Sequence, residues 1–307
     1  MRVTALAGGT GAAKLLRGLA ACLPPHDLTI IGNTGDDTEV WGLHVSPDLD
    51  TVTYALGGVL DVARGWGRAD ETFRCREVMA ALDAPAWFGL GDRDLAVHLV
   101  RTAALRAGNT LSAITARLAA AFGVDSRLLP MSDQPVRTSV TTTEGRRTFQ
   151  EYFVRDRAQG DVVHVDYDGA PAAHPAPGVR DAILGADLVV VCPSNPVTSV
   201  GPILAVTGIA EALASTSAPV VGVSPIIGGA PVSGPAGRLM QARGLAVSPL
   251  GVAAAYAPWL RVLLVDDQDR ELAGALAAHG VRAVVTDVMM PDHAHEVALA
   301  RRVLEAA

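Results

Sequence analysis

The sequence predicts an α/β fold: three-layer, Rossmann-like, with a mainly parallel sheet, a largely helical insertion and a β-hairpin. Three observations point there. A short apolar run, Val3 to Ala7, meets GGTG and then a helical pattern, and a second apolar run follows at Leu28 to Ile31. The alternation of buried-type strand and helix returns after Asp187. Half of the 307 residues are hydrophobic and only 19% are charged, enough apolar surface for helices packed on a buried sheet.

The first unit is the clearest. Leu15, Leu16, Leu19 and Ala20 recur with helical period, and Pro24-Pro25 stops that helix. Strand, turn, helix and strand within about thirty residues imply a right-handed crossover and parallel pairing. From Thr51 to Phe122 the pattern is mostly helical, interrupted by RGWGRAD and FGLGDRD. In the helix after FGLG, Leu95, Leu99 and Val100 are expected to face a core. Thr138 to Thr143 and Arg147 to Val154 read as two strands around the turn EGR, and PAAHPAPG (171–178) reads as a linker. Strands then follow at Asp187 to Val191, Pro219 to Val223, Arg261 to Val265 and Arg282 to Val285. Helices are expected over Gly201 to Leu213, Ala236 to Arg243 and Glu271 to His279. The organisation is one α/β domain, 1–307, with an inserted segment at about 55–175 between its two parallel parts.

Composition excludes several classes of function. A net charge of −7 argues against binding nucleic-acid backbones, which takes a basic footprint. Cys22, Cys75 and Cys192 are widely spaced, so structural zinc is not expected. The apolar run at the N-terminus is too short for a signal peptide, and no stretch of about 18 apolar residues suggests a membrane span. The expectation is a soluble cytoplasmic protein.

In open parallel sheets ligands bind beyond the carboxyl ends of the strands, which singles out the loops Gly8 to Gly11, Gly32 to Asp37, Pro193 to Ser199 and Ser224 to Gly229. AGGTGAAKLL is neither a Walker A loop nor a strict G-x-G-x-x-G, since Lys14 occupies the third glycine's place. Its free N–H groups and helix N-terminus suit a phosphate; the alternative is a tight turn that binds nothing. GNTGDDTEVWGLHVSPDLDT holds Asp36, Asp37, Glu39, Asp48 and Asp50. Two carboxylates on one Mg²⁺ is the usual protein share of an octahedral site, although any one Asp also serves as a cap or turn. Asp92, Arg93 and Asp94 open a helix, where Arg93 either forks onto a phosphate or heterocycle edge or joins a surface ion pair. Ser194, Asn195 and Ser199 in CPSNPVTSVGPIL offer neutral donors and acceptors. His293, His295 and Glu296 read as a solvated turn rather than a metal tract. Cys192 has no base partner and no G-x-S-x-G elbow exists, so covalent nucleophilic catalysis has no support.

Taken together, AGGTGAAKLLRGL, NTGDD, SPDLDTVTYALGG, RGWGRADETF, WFGLGDRDLAVHLVRT, LLPMSDQPVRT, FQEYFVR, CPSNPVTSVGPIL and SPIIGG resemble the 2-phospho-L-lactate transferase family of coenzyme F-420 biosynthesis. The resemblance spans essentially the whole chain. DETF, WFGLGDRDLA and STSAPVVG look most like its actinobacterial branch, the phosphoenolpyruvate transferases. It implies transfer of a phosphoenolpyruvate, 2-phospholactate or related three-carbon unit from a guanosine diphosphate derivative to the ribityl hydroxyl of the deazaflavin Fo, with GMP leaving. It implies Mg²⁺ held by Asp36 and Asp50, with Asp37 as support or spare ligand. Asp50 would also orient or deprotonate the hydroxyl, and with Arg93 would contact Fo. Gly9, Thr10 and Gly11 would cradle phosphates, and Ser194 and Asn195 would read the guanosine half. Ser233 stands where many relatives carry Lys. A homodimer is implied, with small molecules rather than nucleic acid or membrane as partners. The rival from another class is the regulatory gluconeogenesis-factor branch of the same superfamily, which binds UDP-sugars without catalysis; SPDLD and GDRD favour the transferase. An NAD(P)-dependent oxidoreductase rests on the glycine turn alone.

Overall fold

The computed structural model describes all 307 residues. Seven short strands form one parallel sheet: β1 (Val3–Ala7), β2 (Leu28–Gly32), β3 (Arg127–Pro130), β4 (Leu188–Val191), β5 (Val220–Val223), β6 (Val262–Val265) and β7 (Arg282–Val285). Their spatial order is β7-β6-β5-β4-β1-β2-β3. Leu6 of β1 lies in register with Ile31 on one side and Val191 on the other. The chain therefore winds outward from β1 through β2 to β3, then crosses back to β4 beside β1. That reversal opens a crevice beyond the carboxyl ends of β1 and β4. The Rossmann-like α/β expectation holds.

Both faces of the sheet are covered, which is why its central strands are apolar throughout rather than alternating. On one face helix α1 (Gly9–Cys22) packs against the last helix, α4 (His293–Glu305). Leu15, Leu16, Leu19, Leu299 and Val303 share one apolar cluster there. Each such side chain, fully buried, contributes about 1.5–3 kcal/mol. The two helices touch because residue 18 is glycine: a Cβ there would lie 2.1 Å from the Glu296 carbonyl oxygen. On the other face Ile203, Ile209, Leu239, Val252 and Leu276 join Val189 and Leu263 in the larger cluster. Two helices that frame the site remain: α2 (Pro47–Leu56) and α3 (Asp92–Arg106).

Several expectations are corrected. Strand β3 falls inside 55–175 and pairs with β2, so that segment is divided by an edge strand of the main sheet. The hairpin is one part of a three-stranded antiparallel sheet, in which Arg137–Thr142 pairs with both Gly145–Thr148 and Val162–Asp168. Its second strand stops at Thr148 because Glu151–Arg155 coils into a π-helical turn. PAAHPAPG is no linker, since Ala173 and Ala176 are packed in the core. The helix expected over 201–213 breaks before Gly208, whose φ of +100° no helix accommodates. The helix expected from Glu271 starts at Ala273, after a 3₁₀ stretch over Asp267–Leu272. His293 to Glu296 form the first turn of α4 rather than a solvated turn, and Glu296 is fully buried on Arg17. Leu99 and Val100 face outward, 56% and 42% exposed, because α3 turns its polar face inward. No single helix is long and apolar enough to cross a membrane.

Candidate active site

The glycine turn after β1 is shaped by its neighbours. Gly9 has φ of +74°, a conformation that glycine adopts without penalty. At Gly11 a Cβ would lie 2.3 Å from the Pro193 carbonyl oxygen, so the turns after β1 and β4 meet backbone to backbone. Two donors of the turn are already used: Gly9 N–H donates to Asp48 Oδ1 at 2.8 Å, and Gly8 N–H to Ser194 Oγ at 3.4 Å. Gly8 has no side chain to cap α1, and no acid lies in the helix's own first turn. Asp48 takes the first N–H of α1, and the next two, of Thr10 and Gly11, have no partner within the helix at its partly positive end.

Opposite lies an acidic floor. Asp48 is gripped by Gly9 and by the Asn33 amide, which donates to its Oδ2 at 2.8 Å. Burial pushes its carboxyl up to about 6, helped by Asp37 and opposed by the Asn33 and Gly9 hydrogen bonds. Asp37 Oδ2 accepts from Ser46 Oγ at 2.9 Å and lies 2.9 Å from His44 Nε2. Asp36 has no basic partner; burial first, then the charge of Asp48, pushes its carboxyl well above the usual carboxylate range. Asp36 Oδ1, Asp37 Oδ1, Thr34 Oγ1 and Thr138 Oγ1 are all buried without a hydrogen-bond partner. Native interiors satisfy nearly all such atoms, so four together mark a place made for a ligand, an ion or its water. Two carboxylates offering free oxygens beside a third suit a divalent cation. No three or more His, Cys, Asp or Glu side chains converge into a cluster that could hold a metal ion by themselves.

Behind this floor runs a buried ionic chain. Arg101, 2% exposed, lays both terminal nitrogens on Asp50: Nη1 donates to Oδ2 at 3.0 Å and Nη2 to Oδ1. Arg101 Nη1 also lies 3.2 Å from His98 Nδ1. The other ring nitrogen of His98, Nε2, lies 3.2 Å from Asp94 Oδ2. Asp94 in turn accepts from the Tyr54 hydroxyl. Burial pushes Asp50 above the usual carboxylate range, against the pull of Arg101 and His98.

The structure places Gly9, Thr10, Gly11 and Ser194 where the turns after β1 and β4 meet, with Asp36 and Asp37 beside Asp48, which holds Gly9; Asp50 lies behind them on Arg101. Asp50 has both oxygens on Arg101, whereas Asp36 and Asp37 each keep one free. Asn195 spends its carbonyl oxygen on the N–H groups of Val197 and Thr198, capping the turn that follows β4. Arg93 is exposed at the start of α3, its backbone N–H bonded to Glu71. The sequence reading leaves out Asn33, His44, His98 and Arg101, and gives Asp94 only a place at the helix start. The spacing of Asp94, His98 and Arg101, four and three residues apart, was the signal: it lines one helix face.

Fold and site together define a doubly wound α/β protein of the dinucleotide-fold class, with an acid-floored crevice at its switch point. The family model described as 2-phospho-L-lactate transferase CofD matches residues 3–303. The chain belongs to that family. It is 49% identical over 313 residues to the phosphoenolpyruvate transferase of Streptomyces griseus, covering 100% of this chain and 98% of the relative. It is 44% identical over 285 residues to the 2-phospho-L-lactate transferase of Methanosarcina acetivorans, covering 93% and 92%. Among solved structures, a UPF0052-family protein of Bacillus halodurans superposes with a TM-score of 0.65 at 17% identity, covering 99% and 98%, a likeness of fold.

Proposed function

We propose that the protein is a Mg²⁺-dependent phosphoenolpyruvate or 2-phospho-L-lactate transferase, acting on Fo and a guanylylated three-carbon phosphoacid in coenzyme F-420 biosynthesis. The observation that carries this reading is the pair of buried oxygens on Asp36 and Asp37 that lack a hydrogen-bond partner, beside Asp48, which holds the glycine turn. Relatives named as transferases at 44–49% identity support it over a regulatory sugar-nucleotide binder.

In the proposed reaction the terminal ribityl hydroxyl of Fo attacks the donor phosphorus nearer the three-carbon unit. A new P–O bond forms, the bond to GMP breaks, and GMP takes the electron pair. Such a displacement depends on in-line positioning and charge neutralisation, not on a covalent intermediate. Cys192 fits that picture, since burial pushes its thiol up to about 12 and leaves no thiolate. Asp50 accepts or orients the hydroxyl proton, its carboxylate fixed by Arg101, and Arg93 meets the ring. The N–H groups of Thr10 and Gly11 hold donor phosphate oxygens, and Ser194 and Asn195 border the guanosine. Asp36 and Asp37 would hold Mg²⁺, with Asp50 the third candidate ligand. Such an ion would supply positive charge against the diphosphate. The reading also takes the enzyme to be a cytoplasmic homodimer.

The direct test supplies Fo with guanylylated phosphoenolpyruvate or guanylylated 2-phospholactate and weighs the products. A deazaflavin heavier by one phosphoacid unit, together with GMP, is expected. If Fo neither reacts nor changes its fluorescence on mixing with the protein, the sugar-nucleotide reading takes its place.

A further inference from the structure

Aromatic residues are scarce in this chain, 13 of 307, yet three of its four tryptophans, Trp41, Trp66 and Trp87, lie between residues 41 and 87. Trp66 is the most open of the four, at 47% exposed. It sits at the tip of a short loop pinned at both ends. Leu60 and Arg68 form a β-bridge, and Asp61 N–H donates to the Gly67 carbonyl at 3.0 Å. Arg64 ties the loop from within: its Nε lies 2.9 Å from Asp61 Oδ2, and its Nη2 donates to the Arg68 carbonyl at 2.8 Å. The same guanidinium lies 5.3 Å from the centre of the Trp66 ring.

The placement of this loop matters more than its exposure. The two glycines beside Trp66 have φ of +78° and +68°, which lets the tip bend sharply. A Cβ on Gly65 would come within 2.9 Å of Thr10 Cγ2, so the loop rests on the turn assigned to donor phosphates. On its other side, a Cβ on Gly89 would come within 2.9 Å of Trp66 Cη2. The indole edge therefore lies on the backbone of GLGDRD, the segment leading into the helix that carries Arg93 and Arg101. An indole fixed between the phosphate turn and the acceptor-side helix, half open and backed by an arginine, has the form of a stacking platform. A rigid aromatic surface loses little conformational freedom when a flat ring settles on it.

We propose that Trp66 is the specificity-determining platform for a planar heteroaromatic acceptor, stacking its ring while the polyol arm reaches Asp50. This rests on the reading of Fo as acceptor given above. Direct base–aromatic stacking strengthens binding by roughly ten- to a hundredfold per ring. Removal of the indole is therefore expected to weaken ring binding by about tenfold or more, with a phenyl ring restoring most of it.

The test titrates wild type, Trp66→Phe and Trp66→Ala with Fo alone, reading quenching of ring and tryptophan fluorescence, and then adds the guanylylated donor. Thermal melting of each variant confirms the fold, which an exposed tip residue leaves intact. The expected result is a Kd and acceptor KM about tenfold higher in Trp66→Ala, with the donor KM and kcat within about twofold of wild type. Trp66→Phe should lie within about threefold of wild type throughout. Unchanged Fo binding in Trp66→Ala overturns the platform while leaving the transfer reaction standing, as does a wild-type protein that transfers to Fo without Trp66 mattering. Fo binding that depends on Trp66 without any transfer supports the platform and overturns the reaction instead. A wild-type protein that does not bind Fo overturns both.

Discussion

Arg101 and Asp50 face each other across two helices with a bidentate fork, their side chains 2% and 8% exposed. Two buried charges are tolerated only as a pair, and removing one strands the other. Arg101→Met is therefore expected to destabilise the fold by about 3–5 kcal/mol, read as a lower denaturation midpoint. The double variant Asp50→Leu/Arg101→Met should recover most of that loss while remaining inactive. If the single variant melts like wild type, the fork is not holding the two helices.

Asp36→Asn is expected to separate function from stability. The native carboxylate is buried beside Asp48 and Asp37, which works against its charged form. A neutral amide of the same shape relieves that strain, so without ligands the variant should melt at or above the wild-type temperature. Transfer activity should fall by about 10²–10³, the scale of losing one preorganised charge-stabilising group. Calorimetric titration with Mg²⁺ and donor should show weakened binding. A variant that is fully active argues against a cation on Asp36.

The stability of the ligand-free protein should depend on pH through Asp48. Its carboxyl has an ordinary value of 3.8, raised to about 6 by burial in the fold. Between those values the folded state holds the proton more tightly than the unfolded chain. The stabilisation from this group is complete below about pH 4 and lost as pH rises through about 6, a total on the order of 3 kcal/mol. Asp48→Asn should flatten that part of a stability profile measured by denaturant titration from pH 4 to 7. A slope that survives the substitution assigns the effect to another group.

Gly11→Ala should disturb the crevice directly. Its methyl would meet the Pro193 carbonyl at 2.3 Å, a backbone atom with little freedom to retreat. Overpacking of this kind costs about 1–3 kcal/mol, and here it also pushes apart the turns after β1 and β4. A raised donor KM with a smaller change in acceptor KM is expected from steady-state kinetics. Gly274→Ala, where an added Cβ meets nothing, is the control and should behave as wild type.

The parts of this protein that could be read from sequence are those whose cause is local. Val3 to Ala7, the glycine turn and the next apolar run declare a parallel unit by their order, and Asp36 and Asp37 follow β2 directly at the ligand edge. What could not be read depends on partners far along the chain. Gly11 is glycine because of Pro193, and Asp48, some forty residues on, holds Gly9. Arg101, His98 and Asp94 share a helix face, but hydrophobic periodicity assigns the core to the face holding Leu99 and Val100. The buried acids of α2 reverse that choice, drawing the polar face of α3 inward. Strand β3 was hidden by brevity, since RLLP is too short to show any period.

The most direct measurement is mass spectrometry of the product formed from Fo and guanylylated phosphoenolpyruvate by wild type and by Asp50→Asn at matched concentrations. Wild type should yield the phosphoenolpyruvyl derivative of Fo with one GMP per transfer, and Asp50→Asn should form it at least about a hundredfold more slowly. Product formed at the full wild-type rate by Asp50→Asn, or no Fo derivative from wild type with either guanylylated three-carbon donor, would contradict the central claim.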